Sequence, residues 1–264
     1  MLPQDTPRPE PETGGDPAFP ATSLAPAPAV DGPDARRRWL TIGEIVLCSG
    51  FPTQLLIGEL LQAGGIAPLT SAKHLSATFV FSLSLIDALV LISLITFFLW
   101  RRGERLTAIV IGNRGVTQEA AFGFVTVPLV VTIVVAISGV IRIAAPGLRN
   151  MPDNPLEALL GTQSGVIMFL VVVIFAGGVR EEVQRAFLLH RFRQDLGGVY
   201  RGLLITSIAF GLGHTLQGWD VAVITAALGA TWGLMYISRG SAVAGIVSHS
   251  LFNSGEILRA FVMK

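Results

Sequence analysis

From Phe122 to Ala145 the chain runs almost without charge through a near-continuous series of β-branched residues around Val125–Val140. That stretch limits what the whole chain can fold into. In water it would suggest strands. At about 20 residues it fits a membrane-crossing helix instead, since a hydrocarbon core of about 30 Å needs roughly 20 residues at 1.5 Å each. The rest of the chain agrees: 14% of its 264 residues are charged and 51% are hydrophobic. Its mean hydropathy is +0.63. A soluble domain carries roughly 25% charged residues, and a surface that faces lipid needs no such charge.

Hydropathy and turn residues mark six further apolar segments. The expected fold is all-α, a polytopic transmembrane helix bundle of about seven helices, with a range of six to eight. The other segments are expected over 40–61, 75–100, 163–192, 203–216, 221–237 and 242–262. The first is the least regular, holding Glu44, Pro52 and Glu59. The segment from Gln163 reads apolar to Val179, yet its helical pattern continues through Arg180-Glu181-Glu182-Val183-Gln184-Arg185 to about Phe192. If all seven cross, eleven arginines share one side: Arg36, Arg37, Arg38, Arg101, Arg102, Arg105, Arg114, Arg191, Arg193, Arg201 and Arg239. The other side holds little beyond Lys73, Arg149 and Lys264. The positive-inside rule then predicts a multi-pass cell-membrane protein with a cytoplasmic N-terminus. This layout depends on the first segment crossing.

Residues 1–35, rich in Pro and Ala, are expected to form a disordered cytoplasmic tail, because their few apolar side chains cannot offset the entropy of ordering. No apolar h-region follows Arg8, so the tail does not read as a secretory signal peptide. Helices over 36–154 are expected to support a functional core over 155–264. The net charge of +1 points to no nucleic-acid partner. Cys48 is the only cysteine, so no intrachain disulfide can form, and its apolar setting reads as a buried inert thiol.

Ionisable groups within apolar helices are expensive and usually mark a site. Three clusters qualify, all in the last four segments. They are Glu181-Glu182-x-x-Arg185, Phe210-x-x-x-His214 preceded by Ser207, and His249-x-x-x-Asn253 followed by Glu256. Glu181 and Arg185, four apart, share a helix face, and Glu182 is offset by about 100°. Counted from the arginine-rich ends, Glu181 and His214 lie about 16 Å deep and His249 about 10 Å. The three clusters are thus expected to meet in the cytoplasmic half of the bundle, with a site opening that way. Taken singly, each has a plain reading: a packed histidine or a structural ion pair. His74 and His190 sit at segment edges, and Glu44, Glu59 and Asp87 receive no role. The paired glycines Gly177-Gly178, Gly211 and Gly213, and Gly229 and Gly233 read as close helix contacts.

The chemistry open to such a cluster is limited. No serine lies in a Gly-x-Ser-x-Gly setting, although Ser207 and Ser248 are near. A shielded glutamate can act as general base toward water, with His214 sharing the task. His249 and Asn253, one turn apart, could donate hydrogen bonds to a developing oxyanion. Alternatively Glu181, His214 and His249 could bind one zinc ion and leave a position open for water. Both schemes end in hydrolysis of a carbonyl bond. The expected partners are the lipid bilayer and a membrane-associated peptide or protein.

These three motifs resemble the signatures of the CAAX prenyl protease 2 family, also called the CPBP or Abi family of intramembrane proteases, which includes the Rce1-type enzymes. The resemblance covers about residues 155–262. It implies that Glu181 activates water together with His214, and that His249 and Asn253 line the oxyanion site. Glu182 and Arg185, with Phe210, would shape and hold the site. Ala186 stands where the family often has glycine, a change that permits the same helix. Eukaryotic relatives remove the last three residues of prenylated CAAX proteins, and bacterial ones are linked to bacteriocin immunity, protein secretion and peptide processing. The resemblance implies a glutamate-based or metal-dependent membrane hydrolase. Two other classes compete with it: a non-catalytic scaffold or immunity protein of the same fold, and a proton-coupled transporter. A scaffold would tolerate gaps in the motif set, and here all four key positions are filled. A transporter would show inverted repeats, whereas the polar clusters lie in one half of the chain.

Overall fold

A computed structural model describes residues 34–151 and 154–263. Of the tail expected over 1–35, residues 1–33 lie outside the described residues. The described chain is helical throughout, and its only β pairing is an isolated bridge between Leu69 and Leu75. Ten α-helices follow in order: α1 Ala35–Leu47, α2 Phe51–Ala63, α3 Ala77–Arg101, α4 Leu106–Val110, α5 Val116–Ala144, α6 Gln163–Val172, α7 Glu181–Asp195, α8 Val199–Leu212, α9 Trp219–Arg239 and α10 Val243–Val262. A π-helical segment, Val173–Arg180, joins α6 to α7. Short 3₁₀ turns occupy Pro146–Leu148, Pro155–Leu160 and Thr215–Gln217.

Local chemistry sets these boundaries. The side chains of Asp34, Ser76 and Thr162 accept hydrogen bonds from the backbone N–H of Arg37, Phe79 and Gly165, capping α1, α3 and α6. Pro52 in the first turn of α2 costs that helix nothing, because its missing N–H would have lacked a partner anyway. Gly240 ends α9 in the left-handed conformation (φ 64°), which lets its N–H reach Tyr236.

The expectation of six to eight crossings is overturned. Three helices are long and apolar enough to cross a membrane: α3, α5 and α9. A fourth span results if α1 and α2, bent by 41° at Cys48–Gly50, count as one. The reasons are local. The segment expected over 163–192 breaks into the ten residues of α6, the π segment and an α7 that carries Glu181, Glu182, Arg185, Arg191, Arg193 and Asp195. Helix α8 has 14 residues, about 21 Å of rise against the roughly 30 Å a bilayer core demands. Helix α10 is long enough, but His249, Asn253, Glu256 and Arg259 interrupt its apolar surface. The few long apolar helices still mark a membrane-associated protein. On α5 in particular, Phe124, Val125, Leu129, Val135, Val140 and Ile143 are exposed, the outward apolar face that lipid accepts and water does not.

The interior holds several apolar clusters. One gathers Cys48, Leu91, Ile95, Phe98, Leu99 and Phe187 between α1, α3 and α7. Another surrounds Trp232 with Val130, Leu228, Met235 and Ala244. At the end of the bundle where α1, α3 and α7 meet, charges close the structure. Arg191 is fully buried, bonded to Glu44 (2.7 Å) and Glu104 (2.5 Å). Arg102 bridges Glu44 and Asp195, and Thr41 donates to Asp195. Glu44, without a role in the sequence reading, and His190, read as an edge residue, both belong to this network, His190 through Glu104.

The network makes stability depend on acid. Burial opposes ionisation of Glu104, but hydrogen bonds from Arg191, Gln194 and His190 outweigh it and hold the carboxyl down to about 2 from its ordinary 4.5. At Asp195 burial likewise pushes the carboxyl up, but hydrogen bonds from Thr41 and Arg102 outweigh it and leave it lowered. A depressed carboxyl contributes stability that is complete above its unfolded value and is lost as pH falls toward the folded one. Melting temperature should therefore fall between pH 4.5 and about 2, and Glu104→Gln should flatten part of that fall. An identical acid profile for the two proteins would exclude Glu104 from the effect.

Candidate active site

The site forms where the π segment becomes α7. Gly177 and Gly178 let α10 approach this segment closely: a Cβ on Gly177 would lie 2.7 Å from Asn253 Nδ2, and one on Gly178 would overlap Ser250. Two consecutive glutamates then leave the helix in different directions. The side chain of Glu181 is 19% exposed and faces a cavity, whereas that of Glu182 is 2% exposed and faces protein. The i,i+4 spacing predicted that Arg185 shares a face with Glu181. Its guanidinium bonds Glu182 instead, three residues back.

Glu182 also accepts from His249 Nδ1 at 2.9 Å. With Nδ1–H pointing at this carboxylate, His249 Nε2 is left on the cavity side, 3.8 Å from Glu181 Oε2. Gly245 makes room for the arrangement, since a Cβ there would lie 2.7 Å from Glu182 Oε2. Trp232 stacks on His249 with ring centroids 3.7 Å apart and planes at 17°. Phe210 presents an edge to both His214 and His249, at 4.9 and 6.2 Å. The Arg185 guanidinium lies 4.8 Å over Phe210 and 5.8 Å from Trp232, a cation–π arrangement that steadies it away from water.

His214 lies two residues beyond the end of α8, in a turn rather than within the expected helix. Its Nδ1 is 2.8 Å from the Phe210 carbonyl. A carbonyl only accepts, so Nδ1 carries a proton, and in the neutral ring Nε2 holds the lone pair. A cavity of about 520 Å³ is lined by Glu181, His214, His249 and Asn253 together with Phe210, Trp232, Glu256, Asp87 and Arg180. The structure therefore brings the three sequence clusters around one cavity. Ser207 is buried and its hydroxyl has no hydrogen-bond partner among the described residues, while Ser248 accepts from the Trp232 indole. Glu256 bonds Arg259 at one side of the cavity.

The zinc alternative fits this geometry poorly. Among the described residues no three His, Cys, Asp or Glu side chains converge as a metal site requires, Glu181, His214 and His249 included.

Residues 162–255 match the family model described as type II CAAX prenyl endopeptidase Rce1-like. An Rce1-like domain is thus detected over part of the chain, from the start of α6 to within α10. It holds every motif residue named above except Glu256. Helices α1 to α5 lie outside it. The family assignment supports an enzymatic, protease-like function in general terms, and the buried Glu182–His249 pair is consistent with catalysis. No curated protein and no solved structure matches the chain.

Sequence reasoning passed over Trp232, because a tryptophan in an apolar helix reads as packing, and spacing carries no sign that it covers a histidine. It also left Asp87 without a role, although this carboxylate lines the same cavity.

Proposed function

We propose that the protein is a membrane-embedded endopeptidase that hydrolyses peptide bonds of membrane-associated peptides or proteins. The observation that carries this reading is the common cavity of Glu181, His214, His249 and Asn253, with Glu182 behind His249. A water molecule held between Glu181 and the free lone pair of His214 Nε2 gives up a proton to Glu181. The resulting hydroxide attacks the peptide carbonyl carbon, and the carbonyl oxygen becomes an oxyanion. His249 Nε2–H, when the ring is protonated, and the Asn253 amide donate to that oxygen. The Glu182 carboxylate accepts from the opposite nitrogen and fixes the orientation of the ring. When the C–N bond breaks, Glu181 returns its proton to the leaving amine. Glu182 and Arg185 hold the geometry from outside the cavity lining, and Phe210 packs against Arg185 while itself lining the cavity.

Residues 36–154 act in this reading as supporting helices, and 155–264 as the catalytic core. Two arginine-bearing groups favour a cytoplasmic position for that end of the bundle: Arg37, Arg102 and Arg191 in one network, and Arg114 with Arg239 around Glu119.

The test is reconstitution of the full chain in lipid vesicles with a peptide library, products being read by mass spectrometry. Cleavage by the parent protein and its loss in Glu181→Ala is the expected result. Equal cleavage by both would overturn the assignment, and so would a parent that cleaves nothing.

A further inference from the structure

Asp87 sits in the middle of α3, outside the Rce1-like domain, and its carboxylate gathers three donors. Thr53 Oγ1 and Gln54 Nε2 approach from α2, and Arg180 Nη2 lies 2.5 Å from Oδ2. The Asp87 and Arg180 side chains are only 3% and 7% exposed, so both ions have left water. Such a pair persists only where surrounding contacts hold it.

Arg180 is the last residue of the π segment and is bonded directly to Glu181. Gln184, four residues on, lies on the same face and donates to the Cys48 carbonyl at 2.8 Å. Both side chains enter the break between α1 and α2. Gly50 stands there in the left-handed region (φ 88°), and a Cβ on it would collide with Arg180 Nη2. The bend that denies α1–α2 a straight helix is thus the socket that receives the start of α7. π turns are rare and cluster at functional sites, and the last residue of this one is held by contacts from α2 and α3.

We propose that Asp87 and Arg180 are positioning residues. Seated in the α1–α2 break, the pair fixes the point at which the π segment ends, and so holds Glu181 toward the cavity. This rests on the proteolytic reading for its catalytic consequence but not for its structural one.

Two variants and three measurements separate the outcomes. Asp87→Asn alone strands a buried guanidinium and should lower both melting temperature and activity. The double variant Asp87→Leu/Arg180→Met removes both charges and should recover most of the melting temperature, because an apolar pair of similar volume packs without an ion to desolvate. Its kcat toward a library peptide should stay ~10-fold or more below the parent, since small misplacements of a base are expensive. KM should remain within about threefold, because the two side chains line the cavity but are only 3% and 7% exposed and offer little surface to a substrate. Backbone hydrogen exchange of the full reconstituted chain should accelerate over residues 174–184 and stay unchanged in α9. A double variant with parental kcat would reduce the pair to a structural one. Unchanged exchange over 174–184 would overturn the positioning claim by itself. If the parent and Glu181→Ala cleave alike, the proteolytic reading fails, and the exchange measurement still decides the anchor.

Discussion

Replacement of Glu182 by alanine is expected to be the most damaging single change in stability. The carboxylate is buried between Arg185 and His249 and bonds both. Without it, the Arg185 guanidinium stays buried over Phe210 and Trp232 with no counter-ion. Breaking a buried pair from one side typically costs about 3–5 kcal/mol, against a total stability on the order of 5–15 kcal/mol for a domain. Part of that cost returns if Arg185 swings out, but α9 packs against its stem: the Arg185 Cδ lies 3.6 Å from where a Cβ on Gly233 would stand. His249 also loses the acceptor that sets its tautomer, so the surviving folded fraction should be inactive. Thermal melting in detergent together with peptide cleavage checks both halves. A variant that melts with the parent would show that Glu182 is not the counter-ion the fold depends on.

The second large effect is expected at His214, and it separates the two ring nitrogens. Asparagine places an amide nitrogen near Nδ1, so His214→Asn can keep the bond to the Phe210 carbonyl while removing Nε2. Glutamine places its amide near Nε2 and gives up the bond to Phe210. If Nε2 orients or helps deprotonate the attacking water, His214→Asn should lower kcat by ~10²–10⁴-fold with little change in melting temperature. His214→Gln should retain more activity, because its carbonyl oxygen can still accept from the water. The reverse order would place the function of His214 at Nδ1 and make it a strut for the end of α8. Steady-state cleavage by the three proteins in one vesicle preparation gives the ranking.

The helical class was legible in the sequence, but the number of crossings was not. A hydropathy window averages over about twenty residues, so it passes over a break as short as Cys48-Ser49-Gly50. It also cannot see that the backbone past Val172 widens into a π turn, because Val173, Ile174 and Phe175 are as apolar in one geometry as in the other. Helix α10 misled for the opposite reason: its polar residues, the sign of a site, also remove it from the set of apolar spans. At the site, residue spacing pointed to three polar clusters, and the structure joins them around one cavity. Partner choice was hidden. The spacing rule offered Arg185 to Glu181, yet the guanidinium took Glu182, because Glu181 is turned toward the cavity by a helix start whose rotation no periodicity reports. The role of Asp87 was equally hidden, since its partner lies 93 residues away.

The stacking of Trp232 on His249 also makes the protein its own optical probe. The other three tryptophans, Trp39, Trp100 and Trp219, are exposed, whereas Trp232 is 1% exposed. Quenchers dissolved in water or attached to lipid chains can silence the outer three and leave the emission of one indole. That indole stacks on the imidazole that faces the cavity, so its fluorescence would report the arrival of a peptide, with no label attached.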